Sequence, residues 1–342
     1  MRRFRVVASL VAAAALAVAA TAAFVAASES GRASSPAHGA ASPSAPVPAA
    51  GAGNATTSYA SAASDRAGPA SFALVDDVGR TVVLGRAPTR IVSLAPHATE
   101  LLFAVGAGGQ VIAVDPYSDE PAPARALPRV AGYPQLDVEG LLALAADLVV
   151  LWGPGVSRAQ LERLESLRVP VFVSHPRTLG DIASTLRRFA RLAPDPAIGA
   201  AAADAFEARL ASIRERYAQR RPVRVFVQIW SSPLVTVSDA DPIGDALRSC
   251  GGVNVFGDVG VVAPQPGAET VLARRPELIV ATDPSPSARR WADLGLLEPK
   301  GPARFVAFDA SRFERPGPRS LDALQRLCET IDEVRSRPPG SR

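Results

Sequence analysis

The chain is short of the residues that most often carry chemistry. It has three histidines in 342 residues, and His38 lies in a stretch of Ala, Ser, Pro and Gly. His97 and His175 alone are too few for a dedicated histidine metal site. The two cysteines, Cys250 and Cys328, are not in a CxxC spacing and have no histidine beside them, which excludes the familiar zinc and dithiol redox motifs. GxSxG, GxxxxGK[ST] and HExxH are all missing, so no nucleophile–base, phosphate-cradle or zinc-hydrolase pattern is present. The net charge of +4 comes mostly from scattered arginines such as Arg187, Arg188 and Arg191. Without a basic block interleaved with aromatics these read as a solvated helix face, and no nucleic-acid partner is expected. Catalysis therefore has no positive signal.

What is present begins with a targeting pattern. Arg2, Arg3 and Arg5 precede an apolar run from Val6 to Val25, and Val25-Ala26-Ala27 offers small residues for cleavage. Residues 1–27 read as a signal peptide, with an uncleaved Ala-rich membrane anchor as the alternative. No cysteine follows the run to carry a lipid. Residues 28–71 have almost no large apolar side chains and read as a flexible tether. Export to an oxidising space makes a Cys250–Cys328 disulfide the default.

One pattern appears twice. VEGLLALAADLVVLWGPG (138–155) and AETVLARRPELIVATDPS (268–285) align Glu139 with Glu269, Asp147 with Glu277, and Leu148-Val149-Val150 with Leu278-Ile279-Val280. Each copy predicts a short helix opened by a carboxylate, then a buried strand and a polar turn. Apolar strands at 90–94, 111–114, to Trp152 and 169–173 predict a parallel sheet, after a hairpin at 72–84. Helices at 179–192 and 197–220 follow, then strands at 223–229, 278–280 and 305–308 and a helix at 321–331. The expected fold is α/β, with two Rossmann-like lobes (72–178 and 222–336) bridged by helices in 179–221, the last of them long and stiff. Two lobes make a cleft, where ligands usually bind.

Aromatic and arginine side chains recur where strands run into loops: Tyr117, Tyr133, Trp152, Phe313 and Arg315. Ligands of open α/β sheets bind outside the carboxyl ends of strands, and flat side chains there suit a large, partly apolar ligand. Glu139 and Glu269 either stabilise their helices through the dipole or dock onto a two-fold partner carrying arginine. His97, at the first strand-to-helix turn, reads as a hydrogen-bonded loop histidine or as an axial ligand to cobalt or heme iron.

RIVSLAPHATELLFAVGA, DPYSDEP, DLVVLWGPG, CGGVNVF, VLARRPELIV and SRFERPGPR together resemble the periplasmic vitamin B12 (cobalamin)-binding proteins, over about residues 89–335. These form a branch of the helical-backbone class of ABC-importer binding proteins, which includes heme and siderophore receptors. The resemblance implies a periplasmic, monomeric protein with no cofactor of its own. Its ligand would be cobalamin or a related corrinoid, with heme or an iron-siderophore as the alternative. Implied contacts are Tyr117, Tyr133 and Trp152 from the first lobe and Ser311, Arg312, Phe313, Glu314 and Arg315 from the second. Glu139 and Glu269 correspond to the family's docking acids for a permease dimer with its ATPase subunits, and the disulfide has its family counterpart. Tyr133 stands in place of Trp, Ser311-Arg312 replace an acidic and an aromatic residue, and Ile229, Val235 and Ala263 replace second-lobe aromatics. An enzyme acting on a corrinoid, or a structural role, is a weaker reading.

Overall fold

The computed structural model describes residues 72–133, 135–283, 287–299 and 301–336. The expected signal peptide, the tether and His38 lie outside the described residues. The described chain opens with an antiparallel hairpin, β1 (Phe72–Val75) and β2 (Thr81–Leu84), whose turn places Gly79 at φ +82°.

The first lobe contains β3 (Ile91–Leu94), β4 (Val111–Val114), β5 (Leu148–Trp152) and β6 (Val171–Ser174), all parallel in the order β4-β3-β5-β6. The second contains β7 (Val223–Gln228), the small hairpin β8 (Trp230–Ser231) and β9 (Leu234–Val235), then β10 (Gly252–Asn254), β11 (Leu278–Ala281) and β12 (Arg304–Ala307). Its parallel sheet has the order β10-β7-β11-β12. In both lobes the first strand lies between the second and the third, with the fourth outermost.

The helices are α1 (Pro96–Ala104), α2 (Val138–Ala143), α3 (Arg158–Ser166), α4 (Leu179–Ala190) and α5 (Pro196–Tyr217), then α6 (Pro242–Ser249), α7 (Ala268–Ala273), α8 (Ser287–Asp293), α9 (Ala310–Phe313) and α10 (Ser320–Arg335). The sequence repeat is α2–β5 and α7–β11, and its equivalence reaches individual hydrogen bonds. Asp147 accepts from the Thr89 and Arg90 N–H groups at 2.8 and 2.9 Å, and Glu277 accepts from Arg224 N–H at 3.0 Å. Each acid thus closes the entry of the first strand of its lobe. Arg90 and Arg224 donate in return to carbonyls at the end of the repeat helix, Leu144 O at 2.8 Å and Arg275 O at 3.1 Å. Ala145 and Arg275 share the same left-handed φ of 45°, which turns the chain out of the helix.

The bridge is α4 and α5. Thr178 and Asp181 form a capping box on α4, while Asp195 caps α5 ahead of Pro196 at its first turn. Gly199 lets the two helices touch, since a Cβ there would lie 2.4 Å from Ala190 Cβ. Phe206, Leu210 and Ile213 of α5 belong to one apolar cluster that also holds Ile91 and Leu101 of the first lobe and Val225 and Leu327 of the second. The outer sheet faces have their own clusters, around Val149 and Leu164 in one lobe and Phe226 and Trp291 in the other. Cys250 at the end of α6 is disulfide-bonded to Cys328 on α10.

Candidate ligand-binding site

The carboxyl ends of the two parallel sheets supply the candidate side chains, and the two lobes contribute different chemistry. In the first lobe, β5 ends in Trp152, whose ring meets Tyr133 edge to face at 5.9 Å and 78°. Both are half-buried, and burial pushes the Tyr133 phenol up. Gly155 permits this packing, because a Cβ there would lie 2.6 Å from the Trp152 ring. Tyr117, also half-buried, follows β4; its N–H donates to Asp115 Oδ1 at 2.7 Å. Burial pushes the Asp115 carboxyl up against the hydrogen bonds it receives from Ser118 and Tyr117. These three aromatics are available as an apolar, π-faced edge.

The second lobe presents no equivalent edge. Ile229 and Val235 are fully buried, so the positions where the family carries aromatics are core here. Trp230 turns away from Ile229 and donates its indole N–H to Ser232 O at 2.7 Å. The side chains of segment 311–315 do not all face one way. Phe313 is 8 % exposed and packs on Phe308 at 5.0 Å, and Arg315 is 6 % exposed. Ser311 donates its hydroxyl to Asp309 at 2.8 Å, and the exposed Arg312 lies 3.8 Å from Asp322. Helix packing of α9 on α10 alternates these side chains inward and outward, which a strip of sequence does not reveal.

Glu314 lines a small pocket with Asp241, Arg315 and the apolar Leu179, Ile243, Phe313 and Leu324. Both its carboxyl oxygens and Arg315 Nε are buried without a partner. Thr282 lies near enough to ease the charge slightly, but its hydroxyl is committed to the carbonyls of Gln228 and Ile229. Burial, aided by the nearby Asp241 and Asp283, pushes Glu314 up to about 8, and burial pushes Asp241 up to about 6. At neutral pH Glu314 is thus a neutral hydrogen-bond donor and acceptor.

His97 is 3 % exposed, and its Nε2 lies 2.9 Å from Ser174 Oγ. Burial, with His175 and Arg315 nearby, lowers it to about 3. A neutral ring engaged in this way fits the hydrogen-bonded reading. Among the described residues, no group of three or more His, Cys, Asp or Glu side chains could hold a metal ion.

Between the lobes runs a set of ion pairs that the sequence did not single out. Arg319 forks onto Glu100 at 2.9 and 2.6 Å, and Arg315 meets Asp119 at 2.6 Å and Glu100 at 3.6 Å. The available signal was Glu100 inside the otherwise apolar ATELLF of α1: an acid there needs a buried cation. Glu139 and Glu269 are both exposed, each in the first turn of its helix.

The periplasmic binding protein family profile matches residues 91–293. The vitamin B12-binding protein of Vibrio cholerae is 34% identical over 244 residues, 70% of this chain and 87% of the relative. That of Yersinia pestis is 34% identical over 249 residues, 73% and 88% of the two chains. Among solved structures, the periplasmic vitamin B12 binding protein BtuF of Vibrio cholerae superposes with a TM-score of 0.68 at 32% identity, covering 73% of this chain and 99% of the other. The apo heme-binding protein RhuT from Roseiflexus superposes with a TM-score of 0.62 at 25% identity, covering 72% and 99%.

Proposed function

The chain belongs to the periplasmic binding protein family, and from that premise we propose that it is the substrate-binding protein of an ABC importer, capturing cobalamin or a related corrinoid between its lobes. The observation that carries this reading is the Tyr133–Trp152 pair with Tyr117 at the carboxyl end of the first sheet, in a chain whose relatives are named vitamin B12-binding proteins. A corrin is a large flat ring with an apolar face and amide arms. Aromatic edges bury that face, while a few fixed polar groups orient the arms. The neutral Glu314 carboxyl suits amides, because it donates and accepts without the cost of burying a charge.

Capture without turnover is the expected role, in keeping with a family and relatives named as binding proteins. Export by residues 1–27 would place the protein in the periplasm, and Glu139 and Glu269 would meet arginines on a permease dimer. A heme ligand is the second reading, favoured by the likeness to RhuT. Isothermal titration of the purified protein with cyanocobalamin, and with hemin in parallel, separates the two. One-to-one submicromolar binding of cyanocobalamin, recovered unchanged, is the expected result. Binding of hemin alone would transfer the assignment to heme.

A further inference from the structure

Arg315 belongs to the second lobe, yet its guanidinium is planted in the first. Nη1 reaches Asp119 Oδ1 at 2.6 Å and Glu100 Oε1 at 3.6 Å, and Nη2 donates to Tyr117 O at 3.3 Å. Four residues on, Arg319 grips Glu100 through both carboxyl oxygens and donates to Ser311 O at 3.4 Å. Glu100 is 5 % exposed. Gly317, flanked by Pro316 and Pro318, brings the connecting backbone against it; a Cβ there would lie 3.2 Å from Glu100 Oε2. Glu100 and Arg315 are shielded from water, so these two charges attract their partners strongly and leave a large penalty if one partner withdraws, whereas the side chain of Asp119 is exposed.

Two of the anchored atoms are the carbonyls of Tyr117 and Ser311, both among the candidate ligand residues. We propose that Glu100, Asp119, Arg315 and Arg319 form a clasp that fixes the spacing of the lobes and seats Tyr117 and segment 311–314 for the ligand. They are positioning residues, and Arg315 acts through this grip rather than by touching ligand. The continuous core through α5 acts in the same sense. The effect on affinity rests on the cobalamin reading above; the lobe spacing does not.

The test uses spin labels on the exposed positions Arg163→Cys and Arg289→Cys, one per lobe, with both native cysteines occupied in the disulfide. Pulsed electron resonance of the ligand-free protein should give one narrow inter-lobe distance, unchanged by cyanocobalamin. Glu100→Gln and Arg319→Gln should broaden it, with Arg319→Lys intermediate because the charge stays and the fork is lost. If the seated state falls to about a tenth of the population, the apparent Kd for cyanocobalamin rises about tenfold. Arg319 is the more exposed partner, so its variant decides the matter if Glu100→Gln does not fold. A broad distribution in the parent protein, or a narrow one kept by Arg319→Gln, overturns the clasp. Distances that follow this pattern in a protein that ignores cyanocobalamin would support the clasp and reject the ligand assignment instead.

Discussion

The two lobes share a framework and divide the chemistry. Strand order, the acid at the strand entry, the returning arginine and the left-handed residue after the repeat helix coincide in both. Their functional edges do not. The first lobe offers Tyr117, Tyr133 and Trp152 and a buried neutral histidine. The second offers buried acids, arginines that cross to the other lobe and a disulfide. Positions that fix the backbone are held in common because the same sheet must be closed twice, whereas loop positions are free to specialise.

The disulfide is the largest asymmetry. Converting Cys250 and Cys328 to serine frees a separation of 78 residues and should cost about 4 kcal/mol in the chain-entropy picture. Thermal melting should fall by about 10 °C. Hydrogen exchange should rise mainly around α6 and α10; equal loosening of both lobes would contradict a staple local to the second.

The buried titratable groups set opposite pH limbs, each worth a few kcal/mol in order of magnitude. His97 sits near 3 when folded, against 6.5 for its ordinary value, so the unfolded chain takes the proton first and stability is lost as pH falls from about 6.5 toward 3. Glu314 sits near 8, against 4.5, so the folded chain keeps a proton the unfolded one has released, and stability is lost as pH rises from about 4.5 to 8. Chemical unfolding of His97→Gln should flatten the acid limb and that of Glu314→Gln the alkaline limb, with the remainder carried by groups such as Asp241. A variant whose pH profile matched the parent's would refute the assignment for that lobe.

For the ligand edge, Trp152→Ala should weaken cyanocobalamin binding by about 2 kcal/mol, with Tyr133→Ala costing less. In the second lobe Arg312→Ala, an exposed position, should cost under about 0.5 kcal/mol. Equal losses at Trp152 and Arg312 would show that the ligand leans on both lobes alike. The smallest effect on ligand affinity belongs to the pair the lobes share most closely: Glu139→Ala with Glu269→Ala should cost each helix about 0.3–1 kcal/mol in stability and leave ligand affinity intact. Uptake by cells should nonetheless stop, and normal uptake would remove the docking role.

The framework was legible because buried parallel strands write themselves as apolar runs. Leu148–Trp152 and Leu278–Ala281 stand close to where the repeat put them. The edge strand Gly252–Asn254 was not, since GVN has no apolar run. Trp152 and Tyr133 could be picked out as strand-end aromatics, but their edge-to-face contact joins residues from separate loops. Phe313 and Arg315 stand close together in a linear motif, but Phe313 packs on Phe308 while Arg315 reaches Asp119 and Glu100 of the first lobe. Glu100 escaped notice because its partner lies 219 residues away.

The apolar cluster threaded by α5 also bears on what counts as a unit in this molecule. A lobe cut free would expose the face that Phe206, Leu210 and Ile213 cover, so neither half is thermodynamically autonomous. The two lobes are modules of topology within a single cooperative body, and calorimetry should record one heat-absorption peak where the architecture suggests two.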